Sequence, residues 1–270
     1  MHAQIAVFSA PKEGYAPEEW EDGAAGGRVP AARAGESPPV RFAVADGATE
    51  TYESARWVGQ LIESFMSPDQ ASGGSRPEIE RASLTAWFGA MQERWQTAVP
   101  VASDYIEEQK IRQGTLATFV GGEILGLETA APVWRAAALG DSVLFHVRDK
   151  SLIDQFPRLR SADFASSPEG ISTVPARLDR MSEQVQFRQG RLAQGDMIFA
   201  ATDAFAKWMI TRVEKGDPAL WPLLGELAHP DVFDQLVMAE RRAMAMKDDD
   251  VTLMRIRVLP QPATSVVVCL

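Results

Sequence analysis

Three stretches of the sequence put a carboxylate where an apolar run stops. In Phe42-Ala43-Val44-Ala45-Asp46-Gly47-Ala48-Thr49 the run ends in an acid and a glycine, and a helical pattern begins at once. Met197-Ile198-Phe199-Ala200-Ala201-Thr202-Asp203 repeats the design. Asp248-Asp249-Asp250 before Val251-Thr252-Leu253-Met254 reverses it, acids first. A carboxylate at such a junction sits at the mouth of a sheet, on backbone held by a core. Three of them, far apart in sequence, can converge on one hard divalent cation, which takes oxygen ligands. Each stretch alone has a plainer reading: Asp46-Gly47 as a turn, Asp203 as the N-cap of the next helix, Asp248 to Asp250 as a solvated charge run. Only the three together, in this order, point to a metal centre.

The acids belong to a longer ordered set. Glu21-Asp22 and Val44-Ala45-Asp46-Gly47 come first, then Gly114-Thr115-Leu116-Ala117 and Leu139-Gly140-Asp141-Ser142, and last Ala201-Thr202-Asp203-Ala204 and Asp249-Asp250-Val251-Thr252. In these pieces, from about Lys12 to Val258, the chain resembles the metal-dependent PPM (type 2C) protein serine/threonine phosphatases, in a bacterial-like form. The resemblance implies hydrolysis of phosphate monoesters on phosphoserine and phosphothreonine proteins, with a cognate kinase opposing it. It implies two Mn²⁺ or Mg²⁺ ions. Such a pair, about 3.5–4 Å apart, polarises the phosphoryl oxygens and holds a bridging water or hydroxide for attack. Asp46 is the expected bridge, because it ends the most rigid strand and Gly47 leaves its own carbonyl accessible to a metal. Asp203 and Asp249 would complete one ion's shell and Glu21 the other's, with Asp22 acting through water. Asp141 would lie beside a third, weaker position.

Four departures from the family's pattern stand out. The arginine that grips phosphate before the acidic pair is replaced by Pro17, which leaves Lys12 as the candidate cation, with Arg28 and Arg33 behind it. Ala48 stands where many members have a proton-donating histidine, so a metal-bound water takes on that work. Ala204 and Asp250 replace the usual Gly and Asn. These changes keep a second reading open, that of a phosphatase-like module that binds a partner with little catalysis.

Composition narrows the field. With 270 residues, 46% apolar and 24% charged, the chain has the make-up of a globular protein. A net charge of −10 argues against nonspecific nucleic-acid binding. Cys269 is the only cysteine, so no disulfide forms within the chain and no thiolate metal site exists. The three histidines, His2, His146 and His229, are scattered. No apolar run reaches 18 residues, so no membrane span is expected, and no leader is read at the N-terminus. A cytoplasmic location is expected.

The elements that must position the acids follow from periodicity. Strands are expected at Gln4–Ser9, Val40–Ala45, Thr115–Leu125, Val133–Leu139, Ser142–Val147, Gln184–Phe187, Met197–Thr202 and Val251–Val258. Helices are expected at Thr49–Phe65, Ile79–Val99, Tyr105–Arg112, Phe205–Val213, Leu220–Leu227 and Val232–Met246. Gly140-Asp141 reads as the turn of a hairpin, Arg28–Pro39 as a flexible connection, and Ser151–Pro175 as an irregular flap. Grouped strands with segregated helices give an α+β class. A four-layer αββα sandwich of two antiparallel sheets flanked by helices accounts for it, as residues 1–259 in one domain with a tail at 260–270. Val266-Val267-Val268 in that tail would suit an edge strand.

Overall fold

The strands of this chain are apolar on both faces, which requires cover on both sides. The structure, a computed structural model, describes residues 1–14, 20–31, 35–49, 51–67, 76–99, 102–164 and 169–260. Arg33 and the tail from 261 lie outside these residues. One sheet runs in the order β1 (His2–Ala10), β11 (Val251–Leu259), β10 (Met197–Ala201), β6 (Val143–Arg148), β7 (Ser151–Phe156). The other runs β2 (Asp22–Arg28), β3 (Val40–Gly47), β4 (Leu116–Leu125), β5 (Val133–Leu139), β9 (Gln186–Arg191), with the short β8 (Ile171–Ser172) paired to β4. Every pairing is antiparallel.

Three apolar layers result. Phe42, Val44, Val120, Trp134, Ile198, Met254 and Ile256 fill the space between the sheets. Helices α1 (Ser54–Met66) and α2 (Arg81–Ala98) cover the outer face of the second sheet, where Trp57, Phe65, Trp87 and Trp95 meet Ala43, Ala45 and Phe119. Helices α5 (Asp203–Glu214), α6 (Leu220–Glu226) and α7 (Pro230–Arg242) cover the first sheet through Phe205, Trp208, Trp221 and Phe233. Two further α-helices among the described residues are α3 (Tyr105–Gln113), which buries none of its residues, and α4 (Leu178–Gln184), which packs beside α2. This is the αββα sandwich. Among the described residues no helix is long and apolar enough to cross a membrane.

Several expected elements come out differently. Asp22–Arg28, with the sequence DGAAGGR, is a strand although it has no β-branched residue. Its small residues serve close approach. A Cβ on Gly23 would sit 2.5 Å from Val58 Cγ1 of α1, and one on Gly26 would sit 3.1 Å from Ile5 Cδ1 of the facing sheet. Packing, not β-propensity, selects this segment. Helix α1 starts at Ser54, five residues later than the pattern implied, because Gly47 and Ala48 are still tied to other strands. The start of the supposed flap is the edge strand β7, and α4 lies just beyond it. Gly140-Asp141 is a turn but not a hairpin: β5 belongs to one sheet and β6 to the other. The chain crosses between layers there, on a glycine with φ +105° whose added Cβ would meet the Glu169 carbonyl at 2.6 Å.

Gly47 is a second tight point near the shared end of the two sheets. Its N–H donates to the Glu21 carbonyl at 3.1 Å, and a Cβ there would meet Ser54 Cβ at 2.8 Å and the same carbonyl at 3.0 Å. Gly47→Ala is therefore expected to destabilise the protein by about 1–3 kcal/mol, the usual cost of overpacking. Urea denaturation checks this, and an unchanged midpoint would show that the α1 start gives way freely.

Candidate active site

The ends of six strands come together at one end of the sandwich. Asp22 pairs directly with Asp46 across β2 and β3. Asp46 in turn faces Thr118 of β4. The end of β10, followed by Asp203, lies beside the start of β11, preceded by Asp249 and Asp250. The start of β6, preceded by Asp141, lies on the other side of β10. A hydrogen bond between Thr118 and Ser142 hydroxyls, 2.7 Å long, stitches the two sheets together at this level.

The acids affect one another strongly. Desolvation, followed by the charges of Asp22, Asp203, Asp141 and Asp249, raises the pKa of Asp46 well above the usual carboxylate range. Asp22, only 6% exposed, is raised by burial and by Asp250 and Asp203, although the Thr202 hydroxyl donates to its Oδ2 at 2.9 Å. Asp203 is raised by burial and by Asp249, against the pull of Lys247. Burial and the charge of Asp203 push Asp141 up to about 7. Both Asp141 carboxylate oxygens are buried without a hydrogen-bond partner.

Asp46, Asp203 and Asp249 line a cavity of about 480 Å³. Gly47, Ala48, Thr51 and Thr115 share its wall. Asp22, Glu21, Asp141 and Lys12 are not among the residues that line it. The Glu21 carboxylate accepts a hydrogen bond from the Ser54 hydroxyl, and its backbone N–H donates to Asp250 Oδ2 at 2.9 Å. The N–H of Lys12 donates to Asp250 Oδ1 at 2.9 Å. This gives a physical account of Asp250. One carboxylate accepts from two backbone amides on different segments, which the single carbonyl of an Asn cannot do in that geometry. Arg28 lies at the far end of β2, opposite Val40, six residues or about 20 Å from Asp22.

The cations that do line the cavity are Lys110, Arg177 and Lys247, none of them expected from the sequence. Lys247 had the one available signal, its place beside the acidic run. Its ammonium pairs with Asp249 and lies 3.8 Å from Asp203 Oδ2. Partial burial works against that charge, but the hydrogen bond to Asp249 and the charges of Asp203, Asp249 and Asp46 outweigh it and raise the Lys247 pKa. Arg241 of α7 anchors this loop, donating to the Pro11 carbonyl at 2.7 Å and to the Asp249 carbonyl.

Among the described residues no three His, Cys, Asp or Glu side chains are already placed to hold an ion. The donor set nevertheless fits one. It is all oxygen, it is strongly self-repelling, and Asp141 offers two unpartnered buried acceptors.

Comparison with protein-family models and with curated protein sequences finds no match. Comparison with solved structures does. The serine/threonine phosphatase PstP of Mycobacterium tuberculosis superposes with a TM-score of 0.62 at 13% identity, covering 96% of this chain and 100% of that one. This chain has the PPM-phosphatase fold. The PstP catalytic domain in complex with two manganese ions aligns at a TM-score of 0.58 and 14% identity, over 96% of this chain and 99% of that one. The PPM phosphatase MsPP of Mycobacterium smegmatis, in complex with cacodylate, gives 0.51 at 13% identity over 95% and 98%.

Asp141 supplies a test of the electrostatics. Its raised pKa means that the native state binds this proton more tightly than the unfolded chain does. Its contribution to stability therefore falls as pH rises from about 4 to about 7, and the full penalty applies above that. In chelated buffer, Asp141→Asn is expected to flatten this slope and to raise the Tm at pH 8 by a few degrees, at roughly 2–4 °C per kcal/mol. A Tm lowered at pH 8 would show that the Asp141 carboxylate is stabilised by its surroundings instead.

Proposed function

We propose that the protein is a metal-dependent phosphatase acting on phosphoserine and phosphothreonine in proteins. The observation that carries this reading is the convergence of Asp46, Asp203 and Asp249, from both sheets, on one cavity, with Asp22 and Asp141 behind them. Asp46 is the candidate bridge between two ions, and Asp203 and Asp249 would serve one of them. Glu21 and Asp22 remain candidates on the other side, and Asp141 for a weaker position. Mn²⁺ and Mg²⁺ both suit such a set. When bound, they would neutralise charge on the phosphoryl oxygens and acidify the attacking water.

The chain's own residues do the rest. Gly47 and Ala48, held by hydrogen bonds to Glu21 and Leu116, fix the Asp46 backbone. Arg177 lines the same cavity and is suited to grip phosphate oxygens in a bidentate way, a role that the position of Lys12 serves less directly. Lys247 balances Asp203 and Asp249 with a positive charge, and both acids must give it up to close round an ion.

The purified protein should hydrolyse a phosphothreonine peptide with Mn²⁺ and stop in EDTA. Asp46→Asn keeps the shape but removes the central charge, so turnover should fall by roughly 10²–10⁴-fold, about 3–5 kcal/mol. Calorimetric Mn²⁺ affinity should fall with it. Turnover that survives chelation sinks the reading. Peptide binding without turnover supports the second one, a weakly catalytic binding module, which Ala48 in the histidine's place favours.

Lys247→Met removes the competing ammonium. Mn²⁺ should then bind a few-fold more tightly, a modest gain because Lys247 is largely exposed and its ion pairs are screened. Titration calorimetry reads this directly. Weaker Mn²⁺ binding in the variant would mean that Lys247 organises the acids for the ion rather than competing with it.

A further inference from the structure

Helix α3 contributes nothing to any core, yet it is held firmly at the cavity rim. It buries none of its nine residues. A helix this short is marginal on its own. Polar contacts fix it instead. Asp104 caps the N-terminus, accepting from the Glu107 N–H at 2.8 Å, and Glu107 also accepts from the Ser103 N–H at 2.6 Å. The Tyr52 hydroxyl ties Glu107 back to the body at 3.0 Å. Gly114 closes the C-terminus on the carbonyls of Lys110 and Ile111.

One face of the helix leads out of the cavity. Ile106, Lys110 and Gln113 stand at i, i+4 and i+7, which places them in line on a single side. Lys110 and Gln113 line the cavity that holds Asp46 and Asp203. Ile106, at the outer end of that line, is 69% exposed, and its neighbour Tyr105 is 72% exposed. The line from Gln113 to Ile106 is seven residues of helix, about 10 Å. Extended peptide covers that distance in about three residues.

We propose that this face of α3 is the docking track for the substrate segment flanking the phosphorylated residue. Lys110 reads an acidic side chain close to the phosphate, and Ile106 reads a large apolar side chain three or four residues from it. The occupant is thus a phosphopeptide segment that is acidic near the phosphate and apolar beyond. Two features select it: the track is continuous with the cavity, and Lys110 offers a cation at the rim of a chain whose net charge is −10. The proposal rests on the phosphatase reading of the cavity.

The test uses the full chain with Mn²⁺ and two substrates. One is a labelled phosphothreonine peptide with Glu two residues and Leu four residues from the phosphate; the other is a small aryl phosphate. Ile106→Glu should reduce kcat/KM on the peptide about tenfold or more, mainly through KM, and leave the aryl phosphate unchanged. Lys110→Glu should lose the preference for Glu and favour a peptide with Lys at that position, a swap that a merely structural role would not produce. An equal loss on both substrates, or no loss on the peptide, overturns the track. If the wild-type protein turns over neither substrate, the phosphatase reading fails, and fluorescence anisotropy of the same peptide still decides: binding weakened by both variants upholds the track, and binding that is absent or unaffected overturns it.

Discussion

Like charges forced together are the constraint on which this structure turns. Asp22 and Asp46 are cross-strand partners; burial raises both, Asp203 works against ionisation of each, and the charge of Asp22 adds to this at Asp46. Carboxylates directly opposite on a sheet repel, and burial removes the water that would screen them. A chain could relieve this by letting the strand ends splay. Here it cannot, because the register of β2, β3 and β4 is fixed by packing on both faces and the Thr118–Ser142 hydrogen bond joins the layers at the same level. The repulsion is therefore held at a site where a proton or another positive charge relieves it.

The surrounding polar contacts serve that arrangement. Asp250 takes no part in lining the cavity but accepts from the backbone of Lys12 and Glu21, so the loop before β2 is fastened to the start of β11. Arg241 joins the same two segments from the outside, donating to the carbonyls of Pro11 and Asp249. Lys247 supplies an ammonium that reaches two of the acids. An acid that gathers amides, an arginine that gathers carbonyls and a lysine that gathers acids together hold the end of the first sheet against the second.

What was legible in the sequence was what periodicity encodes. The apolar strands ending in Asp46 and Asp203, the long helices and the layered class follow from alternation and from stripes at spacings of three and four. Strand β2 was not legible, because its glycines are selected by the approach of Val58 and Ile5, partners more than twenty residues away in one case and earlier in the chain in the other. The Gly140 turn was legible as a turn but not as a crossing between sheets, since a local signal carries no information about which sheet the next strand joins. The acids of the site stood out for the same reason the strands did. Lys110 and Arg177 did not, since nothing in their neighbourhoods distinguishes them from other surface cations.

This division has a physical basis. Charge that must be held against repulsion needs rigid backbone, and the strand ends of a doubly covered sandwich provide it. On the phosphatase reading, groups that would meet a flexible substrate need no such support and can sit on short helices and turns at the rim, where Lys110 stands on α3 and Arg177 at the end of a 3₁₀ turn. Such elements change with little cost to the core. On that reading, the reaction would be tied to the sandwich and the choice of substrate to the rim. A segment such as α3, with no buried residue and an exposed tyrosine and isoleucine, is constrained by its polar ties and not by the core.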